Sequence, residues 1–387
     1  MVPSEVRALF SVASRPGVVS LAGGMPDVTA LPADALGELL GELAVTRTAV
    51  ALQYGSAQGD PALRERICEV MAMEGIRARA DDVVVTVGSQ QALDLTARIF
   101  LDPDDVVVTE APTYVTALNV FAAYQARIVS VPMDSDGVIP NALEETLRRL
   151  AEAGRRPKLF YTVPTFHNPV GVTLADARRP AVVDICGRAG VLIVEDNPYG
   201  LLAFDHQPRR ALRADAPDGV LYLGSFSKTL APAFRVGWAL APPSVRDKLV
   251  LAAEGAILSH SVLAQLVVER CLATQPWPEH LKAMREMYRE RRDAMLDALA
   301  TWMPPGCLWT RPDGGFFVWV TLPPGVDSKE MLARAVAAGV AYVPGSGFFA
   351  DGTGHGHLRL SYSHPAPELI REGVRRLAGL LTATADM

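Results

Sequence analysis

A lysine that follows two serines and precedes an arginine gives the clearest chemical signal in this chain. The segment Gly224-Ser225-Phe226-Ser227-Lys228 is followed by Arg235. A neutral lysine amine forms a Schiff base with a carbonyl, and burial or nearby cations lower its pKa towards that state. Serines let N–H groups and hydroxyls approach a phosphate, which arginine binds bidentately. Pyridoxal 5′-phosphate (PLP) needs both features, although this segment alone could also be a solvated surface loop.

Two motifs upstream of this segment strengthen the PLP interpretation. Asn168 lies in Pro164-Thr165-Phe166-His167-Asn168-Pro169-Val170-Gly171, and Asp196 and Tyr199 lie in Val194-Glu195-Asp196-Asn197-Pro198-Tyr199. With these motifs in this order, the chain resembles the fold type I PLP-dependent aminotransferases of class I and II, most of all the 2-aminoadipate and broad-specificity branch. The resemblance runs from about Val6 to about Leu380.

The resemblance implies a reaction and a role for each of these residues. An amino group would pass between an L-amino acid and a 2-oxo acid by a ping-pong mechanism, with Lys228 as Schiff-base lysine and proton-transfer base. Asp196 would keep the pyridine nitrogen protonated, and Tyr199 and Asn168 would bind the phenolic oxygen of PLP. From the residues alone, Asp196 could be a loop or cap carboxylate, and Asn168-Pro169 could be a simple turn.

The phosphate of PLP is expected where a helix follows a strand. Gly88-Ser89-Gln90-Gln91 comes directly after an apolar run, and the free N–H groups of a helix start attract phosphate. Ser89 could also serve as an ordinary N-cap. The predicted phosphate site consists of Ser89, Gln90, Ser225, Ser227 and Arg235.

Two tyrosines are assigned through the resemblance. Tyr114, in Ala111-Pro112-Thr113-Tyr114, matches the aromatic residue that stacks on the pyridine ring, although a lone tyrosine is more often a packing residue. Tyr54, in Gln53-Tyr54-Gly55, matches a tyrosine that reaches the phosphate of the neighbouring subunit. A homodimer with shared active sites is therefore expected.

Substrate binding requires a cation for the α-carboxylate. Arg359 lies in an otherwise apolar predicted strand, where an arginine is costly unless it is paired, and it matches the carboxylate-binding arginine. Gly23 and Gly24 match a segment that passes close to the substrate, and glycine permits that approach; an ordinary turn is the alternative. Arg7 matches an arginine that contacts a distal carboxylate, which suggests 2-aminoadipate or glutamate as substrates; a solvated helix arginine fits equally well.

Three positions depart from the family pattern. Val170 stands where threonine is usual, and Ala233 stands where glycine is common. Neither change removes a catalytic group. His167 precedes the key asparagine where glutamine is frequent. It could add a titrating group near the cofactor, although a satisfied structural histidine is the favoured interpretation.

The elements that must position these residues alternate between strands and helices. Apolar runs predict strands at 83–87, 106–109, 159–163, 191–194, 220–223 and 236–240, with helices such as 91–100 and 175–189 between them. This indicates an α/β fold, and the resemblance implies fold type I with a mostly parallel seven-stranded sheet between helices. The candidate residues follow strand ends, where open α/β sheets bind ligands.

The predicted domain organisation has three parts. Residues 1–45 form an N-terminal segment that packs with the small domain, residues 46–285 a large PLP-binding domain, and residues 286–387 a smaller α+β domain. A long helix at about 279–302 connects the last two.

Composition fits a cytoplasmic enzyme. Of 387 residues, 49% are hydrophobic and 21% charged, as in ordinary globular proteins, and the net charge of −6 argues against nucleic-acid binding. No apolar run predicts a membrane span, and the N-terminus lacks the pattern of a signal peptide. Cys68, Cys186, Cys271 and Cys307 are scattered, which is typical of free thiols in a reducing compartment.

Three other functions share parts of this pattern. A PLP-dependent lyase or decarboxylase would carry the same cofactor residues. Transcription factors of the MocR type place a winged-helix region before this domain, and only about 20 residues precede Leu21 here, so a regulator is not expected. A Rossmann dehydrogenase would need G-x-G-x-x-G after an early strand, which is missing.

Overall fold

Among the residues that the structure describes, apolar, β-branched segments assemble into one large sheet of eight strands, one small sheet of four strands and a separate two-stranded pairing. The computed structural model describes residues 17–29, 31 and 33–385. The strands are β1 (Val19–Ser20), β2 (Val83–Thr86), β3 (Val106–Ala111), β4 (Arg127–Asp134), β5 (Gly137–Val138), β6 (Leu159–Thr162), β7 (Leu192–Asp196), β8 (Val220–Ser225), β9 (Gly237–Leu240), β10 (Leu308–Trp309), β11 (Phe317–Thr321), β12 (Val340–Ala341), β13 (Val343–Pro344) and β14 (His357–Ser361).

Helices cover both sheets. They are α1 (Ala33–Thr46), α2 (Thr48–Ala51), α3 (Pro61–Ala72), α4 (Gly88–Phe100), α5 (Val115–Ala123), α6 (Pro140–Glu152), α7 (Arg179–Ala189), α8 (Leu212–Asp215), α9 (Pro243–Ile257), α10 (Val262–Thr274), α11 (Trp277–Trp302), α12 (Ser328–Ala337) and α13 (Pro367–Ala385). Short 3-10 turns lie at Ala80–Asp82, Pro232–Phe234 and Gly345–Phe348. In the part of the chain that the structure describes, no helix is long and apolar enough to cross a membrane.

The large sheet confirms the predicted α/β fold. Its strand order is β2-β9-β8-β7-β6-β3-β4-β5. The pairs from β8 through β4 are parallel, whereas β9 runs antiparallel to both of its neighbours. The seven expected strands are extended by β5, a two-residue strand that pairs antiparallel with β4 at the edge.

Alternate residues of the central strands enter different hydrophobic cores. On β3, Val107 packs with helices α4, α5 and α9, whereas Val106 and Val108 pack with α6 and α7. Because side chains alternate along a strand, helices on both faces explain why consecutive residues such as Val106, Val107 and Val108 are all apolar.

The small sheet has the order β10-β11-β14-β13 and is antiparallel. Helices α11 and α13 pack on it around a core that includes Val318, Val320, Leu358 and Leu360. Arg359 therefore lies on a strand whose neighbouring residues are anchored in this core.

The start of the described chain packs against the small sheet and the long helix α11. Strand β1 pairs in parallel with β12, with Val19 opposite Val340. Further along, Asp27 forms an ion pair of 2.5 Å with Arg291, and its backbone N–H donates to the Tyr288 hydroxyl at 3.0 Å. These contacts fix the path of residues 22–27 past the carboxyl ends of the large sheet.

Gly237 brings three site-forming elements together. It is the first residue of β9 and lies opposite Thr86 of β2 and Ser225 of β8. A Cβ atom at position 237 would lie 2.5 Å from Gly88 C and 2.6 Å from Ser89 N, both backbone atoms at the start of α4. The missing side chain lets the helix start sit directly against the sheet.

Gly237→Ala is expected to destabilise the protein by about 1–3 kcal/mol, because the methyl group must displace backbone rather than a flexible side chain. Denaturant unfolding measures this change. Gly255→Ala on α9, where an added Cβ meets nothing within 4 Å, is the matched control. It is expected to raise stability by about 0.5–1 kcal/mol. Equal unfolding midpoints for the two variants would contradict this account.

Candidate active site

Lys228 lies just beyond the end of β8, and its amine points to the N-terminal segment. Its Nζ donates a hydrogen bond to the Gly24 carbonyl at 2.9 Å. Burial lowers the pKa of Lys228 to about 8, and the positive charges of Arg359 and Arg235 act in the same direction, while Asp196 opposes them. The amine is therefore much closer to its neutral, nucleophilic state at physiological pH than an ordinary lysine.

Asp196 is the last residue of β7, and it is 4% exposed. Its Oδ2 accepts a hydrogen bond from the Tyr161 hydroxyl at 2.8 Å, whereas no donor among the described residues reaches the buried Oδ1. Burial raises the pKa of Asp196 to about 6, although the Tyr161 hydrogen bond and the Lys228 charge act against the shift. A buried carboxylate oxygen without a donor is costly, so a protonated ring nitrogen fits this place.

Arg359 is a buried cation held by neutral groups. Its Nη1 donates to Asn168 Oδ1 at 2.7 Å, and its Nη2 donates to the Ala22 carbonyl at 2.8 Å. Burial lowers the pKa of Arg359 to about 10, so the guanidinium stays charged at neutral pH. Among the described residues, no carboxylate forms an ion pair with it, and its Nε has no partner. An uncompensated buried cation suits the carboxylate of an amino acid or oxo acid.

Arg235 lies across the start of α4. It has a left-handed backbone (φ 51°), and its Nη2 donates to the Val87 carbonyl at 3.1 Å. Its Nη1 lies 3.3 Å from Ser227 Oγ, and a Cβ at Gly88 would lie 2.5 Å from Nη2. Glycine at this position therefore leaves room for the guanidinium beside the helix start.

The helix start and the two serines complete a cradle for an anion. Helix α4 begins at Gly88, and Val87 occupies the N-cap position without a side-chain cap, so Ser89 lies in the first turn and is not the N-cap. The Ser225 hydroxyl accepts a hydrogen bond from Ser227 N–H at 3.0 Å. Uncapped N–H groups, two hydroxyls and an arginine are the donors that bind a phosphate.

The three tyrosines of the predicted site lie in different surroundings. Tyr199 is buried edge-on against Phe316 and Phe317, and burial raises its pKa, so it remains a hydroxyl donor. Tyr114 is only partly exposed, and the charges of Asp196, Arg359 and Arg235 all reach it. Tyr54 is 75% exposed in the single chain.

Two of the expected substrate residues remain. Gly24 lies beside Lys228, and a Cβ there would be 2.6 Å from Phe317 Cζ. Arg7 lies outside the described residues.

Sequence reasoning missed two contacts of the site. Tyr161 supports Asp196 from the neighbouring strand β6, and Phe317 lies under the Arg359 guanidinium with its ring centre 4.1 Å from Cζ. Both are aromatic residues in apolar strands, where only the strand pairing shows which charged residue they meet.

Comparison with known proteins gives this geometry a family. The family model described as aminotransferase class I and II matches residues 32–377. The chain belongs to the class I and II aminotransferases. It is similar to aromatic-amino-acid aminotransferase 1 of Thermococcus litoralis, with 42% identity over 98% of this chain and 91% of the relative. It is also similar to the 2-aminoadipate transaminase of Thermus thermophilus, with 39% identity over 98% and 94% of the two chains.

A solved structure of the same fold confirms the cofactor class. The kynurenine aminotransferase of Pyrococcus horikoshii, crystallised with PMP, matches with a TM-score of 0.95 and 40% identity over 99% of this chain and 95% of that chain. This protein is therefore a fold type I, PLP-dependent aminotransferase, and the lyase and decarboxylase alternatives are not favoured.

The lowered pKa of Lys228 predicts the pH dependence of cofactor capture. Only the neutral amine attacks an aldehyde, so the rate of PLP uptake by the cofactor-free aminotransferase should rise up to about pH 8 and then level off. Stopped-flow absorbance measures this rate, with Nα-acetyl-lysine as the reference for the titration of PLP itself. Asp196→Asn should shift the profile to lower pH, since the Asp196 charge raises the pKa of Lys228. A rise that continues to pH 10 would contradict the assignment.

Proposed function

We propose that Lys228, Asp196 and Arg359 are the working core of this aminotransferase, as proton carrier, ring-nitrogen partner and carboxylate anchor. The observation that supports this most directly is their convergence, since Asp196 ends strand β7, Lys228 follows the neighbouring strand β8 and Arg359 lies on β14 of the small sheet. The charges of Asp196 and Arg359 both act on the Lys228 amine, one raising and the other lowering its pKa.

The residues around PLP would divide its binding between ring and phosphate. The chemistry that PLP supplies when bound is an electron-withdrawing ring joined to the amino nitrogen, which makes the substrate Cα hydrogen acidic. Asp196 Oδ1 would hold the proton of the pyridine nitrogen. Asn168 and Tyr199 would bind the phenolic oxygen, and Tyr114 would stack on the ring. Ser89, Gln90, Ser225, Ser227 and Arg235 would hold the phosphate.

Lys228 would move the proton that transamination requires. Its Nζ, once released as a neutral amine, would take the proton from the substrate Cα and deliver it to the cofactor carbon. The pKa of about 8 suits both steps, because the group can accept and release a proton near neutral pH. Arg359 would hold the α-carboxylate of the amino acid in one half-reaction and of the 2-oxo acid in the other. Gly24 would pass close to that substrate, with its carbonyl on the Lys228 amine and the Phe317 ring in the place of a side chain.

We further propose that acidic L-amino acids are among the substrates. The similarity to a 2-aminoadipate transaminase supports this class, with Arg7 as the contact for the distal carboxylate.

The proposed active unit is a cytoplasmic homodimer in which Tyr54 completes the phosphate site of the neighbouring subunit. Tyr54 is exposed, and so are the large apolar residues Val45, Leu52 and Leu258, at 84%, 77% and 51%. A hydrogen bond of 3.3 Å from Gly55 N–H to the Ser259 hydroxyl joins the segments that carry Tyr54 and Leu258. Large exposed apolar patches are typical of subunit contacts. The four free cysteines are compatible with a reducing compartment.

The division into residues 1–45, 46–285 and 286–387 also remains a proposal. The two sheets support it, since the strands of the large sheet lie between Val83 and Leu240 and those of the small sheet between Leu308 and Ser361. The boundary at 285/286 lies within α11.

A half-reaction screen tests the substrate class. The PLP form is mixed with glutamate, 2-aminoadipate, leucine, phenylalanine or lysine, and the reaction is monitored by the absorbance of the cofactor. Transamination should give the matching 2-oxo acid without ammonia. Arg7→Ala should slow the two acidic substrates about 10- to 100-fold, the effect of losing one charge-assisted hydrogen bond. Leucine is the internal control and should react at the wild-type rate. Unchanged glutamate kinetics in Arg7→Ala would contradict the role of Arg7.

A complementation experiment tests the shared active site. Lys228→Ala should be inactive and Tyr54→Ala should bind PLP weakly. In a mixed dimer, the site that contains Lys228 from one chain receives Tyr54 from the other, so mixing after partial unfolding should restore activity above either parent. Each variant unfolded and refolded alone is the control. No recovery in verified mixed dimers would show that each site is built from one chain.

A further inference from the structure

Glu110 is a buried carboxylate that no step of the proposed reaction uses. It lies on β3, is 1% exposed, and its Oε1 accepts a hydrogen bond from the Thr162 hydroxyl at 2.8 Å. Its Oε2 accepts from Val163 N–H at 3.0 Å and lies 3.0 Å from Nε2 of His167. Neither ring nitrogen of His167 makes a hydrogen bond to a described residue, so Glu110 and His167 meet as a close polar contact between two buried side chains.

His167 is fixed through its backbone as well as its ring. Its N–H donates to the Val172 carbonyl at 2.8 Å, and its own carbonyl accepts from Gly171 N–H at 2.6 Å. The ring is 1% exposed, so water does not compete for Nε2. The turn 167–172 is thereby attached to the strand end that carries Glu110, and the next residue in this turn is Asn168.

Asn168 in turn determines how Arg359 faces the substrate. Phe317 and Phe348 lie 4.1 and 5.1 Å from the guanidinium carbon and restrict the plane of the group. Rotation within that plane is fixed by the hydrogen bonds from Nη1 to Asn168 Oδ1 and from Nη2 to the Ala22 carbonyl. A bidentate carboxylate contact depends on this in-plane orientation, because the two N–H groups must face both oxygens.

We propose that Glu110 and His167 form a buried positioning pair that orients Arg359 for the substrate carboxylate through Asn168. The continuous path runs from Glu110 Oε2 to His167, along one peptide unit to Asn168, and from its side-chain oxygen to the guanidinium. This inference rests on the proposed role of Arg359. The pair touches neither substrate nor cofactor and acts only through its neighbours.

The test measures carboxylate binding apart from catalysis. The probe is 3-phenylpropionate or adipate, whichever binds the wild-type holoenzyme more tightly, since both carry a carboxylate but no amino group. Titration calorimetry on the PLP-loaded enzyme gives the dissociation constant. His167→Leu and Glu110→Gln should each weaken probe binding by about tenfold, because either change alters the contact that holds the turn 167–172 against β3. The absorbance spectrum of bound PLP should remain that of the wild type.

Rescue and control variants separate positioning from general damage. His167→Gln should restore most of the probe affinity, because its amide can donate to Glu110. Glu74→Gln is the matched control: Glu74 is a comparably buried carboxyl group that accepts from the Tyr222 hydroxyl at 2.6 Å and from Asn197 at 2.7 Å, away from Arg359. It should leave probe affinity unchanged. All titrations are made below the unfolding temperature of each variant.

The outcomes distinguish this inference from the function on which it rests. If Arg359→Lys weakens probe binding but Glu110→Gln and His167→Leu do not, the positioning pair is refuted while the role of Arg359 stands. If Arg359→Lys binds the probe as tightly as the wild type does, the proposed carboxylate-binding role of Arg359 is itself refuted. Equal weakening by Glu74→Gln would reduce the effect to loss of stability and overturn the inference. If His167→Leu does not fold, the other two variants decide. The inference then requires weaker probe binding in Glu110→Gln and nearly wild-type binding in His167→Gln.

Discussion

Removal of charge from water is the constraint on which this active site depends. Asp196 is a carboxylate at the end of a strand that is buried on both faces, and Arg359 is a guanidinium that no acid among the described residues neutralises. Each would be unfavourable in a finished protein core. The amine of Lys228 lies under the influence of both and has a lowered pKa as a result. The site therefore contains buried charged groups that other residues do not fully compensate. Each of them corresponds to one proposed contact with PLP or with an amino acid.

The two sheets divide the tasks of the site. The large sheet supplies the ends of β7 and β8 and the start of α4, so ring partner, lysine and phosphate cradle share one rigid support. The small sheet supplies Arg359 and the Phe317 ring beside it, and Arg359 bonds back to Asn168 of the large part and to Ala22 of the N-terminal segment. The hydrogen bond from Lys228 to the Gly24 carbonyl also joins the large part to the N-terminal segment. The proposed sites for the substrate carboxylate and the cofactor thus meet where three parts of the chain join.

Much of this arrangement could be predicted from the sequence, and the exceptions have physical reasons. The central strands were predictable because burial on both faces makes every residue apolar, as in Val106–Val108. Strand β4 gave no such signal, since it mixes exposed positions such as Arg127 with buried Val131. Lys228, Asp196 and Asn168 could be proposed from the sequence because each belongs to an ordered motif. In the structure, Asn168 accepts a hydrogen bond from Arg359, and the charges of Asp196 and Arg359 act on the Lys228 amine.

Pairings across strands could not be predicted in this way. Nothing in the sequence joins Tyr161 to Asp196, or Glu110 to His167, because these partners are 35 and 57 residues apart and meet only through the parallel order β3-β6-β7. The histidine at 167 was favoured as a structural residue from its type alone. The structure places Glu110 3.0 Å from its Nε2, a neighbour that the residue type could not reveal, and neither ring nitrogen makes a hydrogen bond to a described residue.

Gly24 has a further consequence for how such an enzyme can diversify. Its carbonyl holds the lysine amine, and the space where a side chain would project is filled by the Phe317 ring at 2.6 Å. That ring also lies against Arg359, so it cannot retreat without disturbing the carboxylate anchor. Evolution is therefore barred from reshaping the substrate pocket at this position. A change in substrate preference is therefore expected from other positions of the pocket, while Gly24, Phe317 and Arg359 remain packed together.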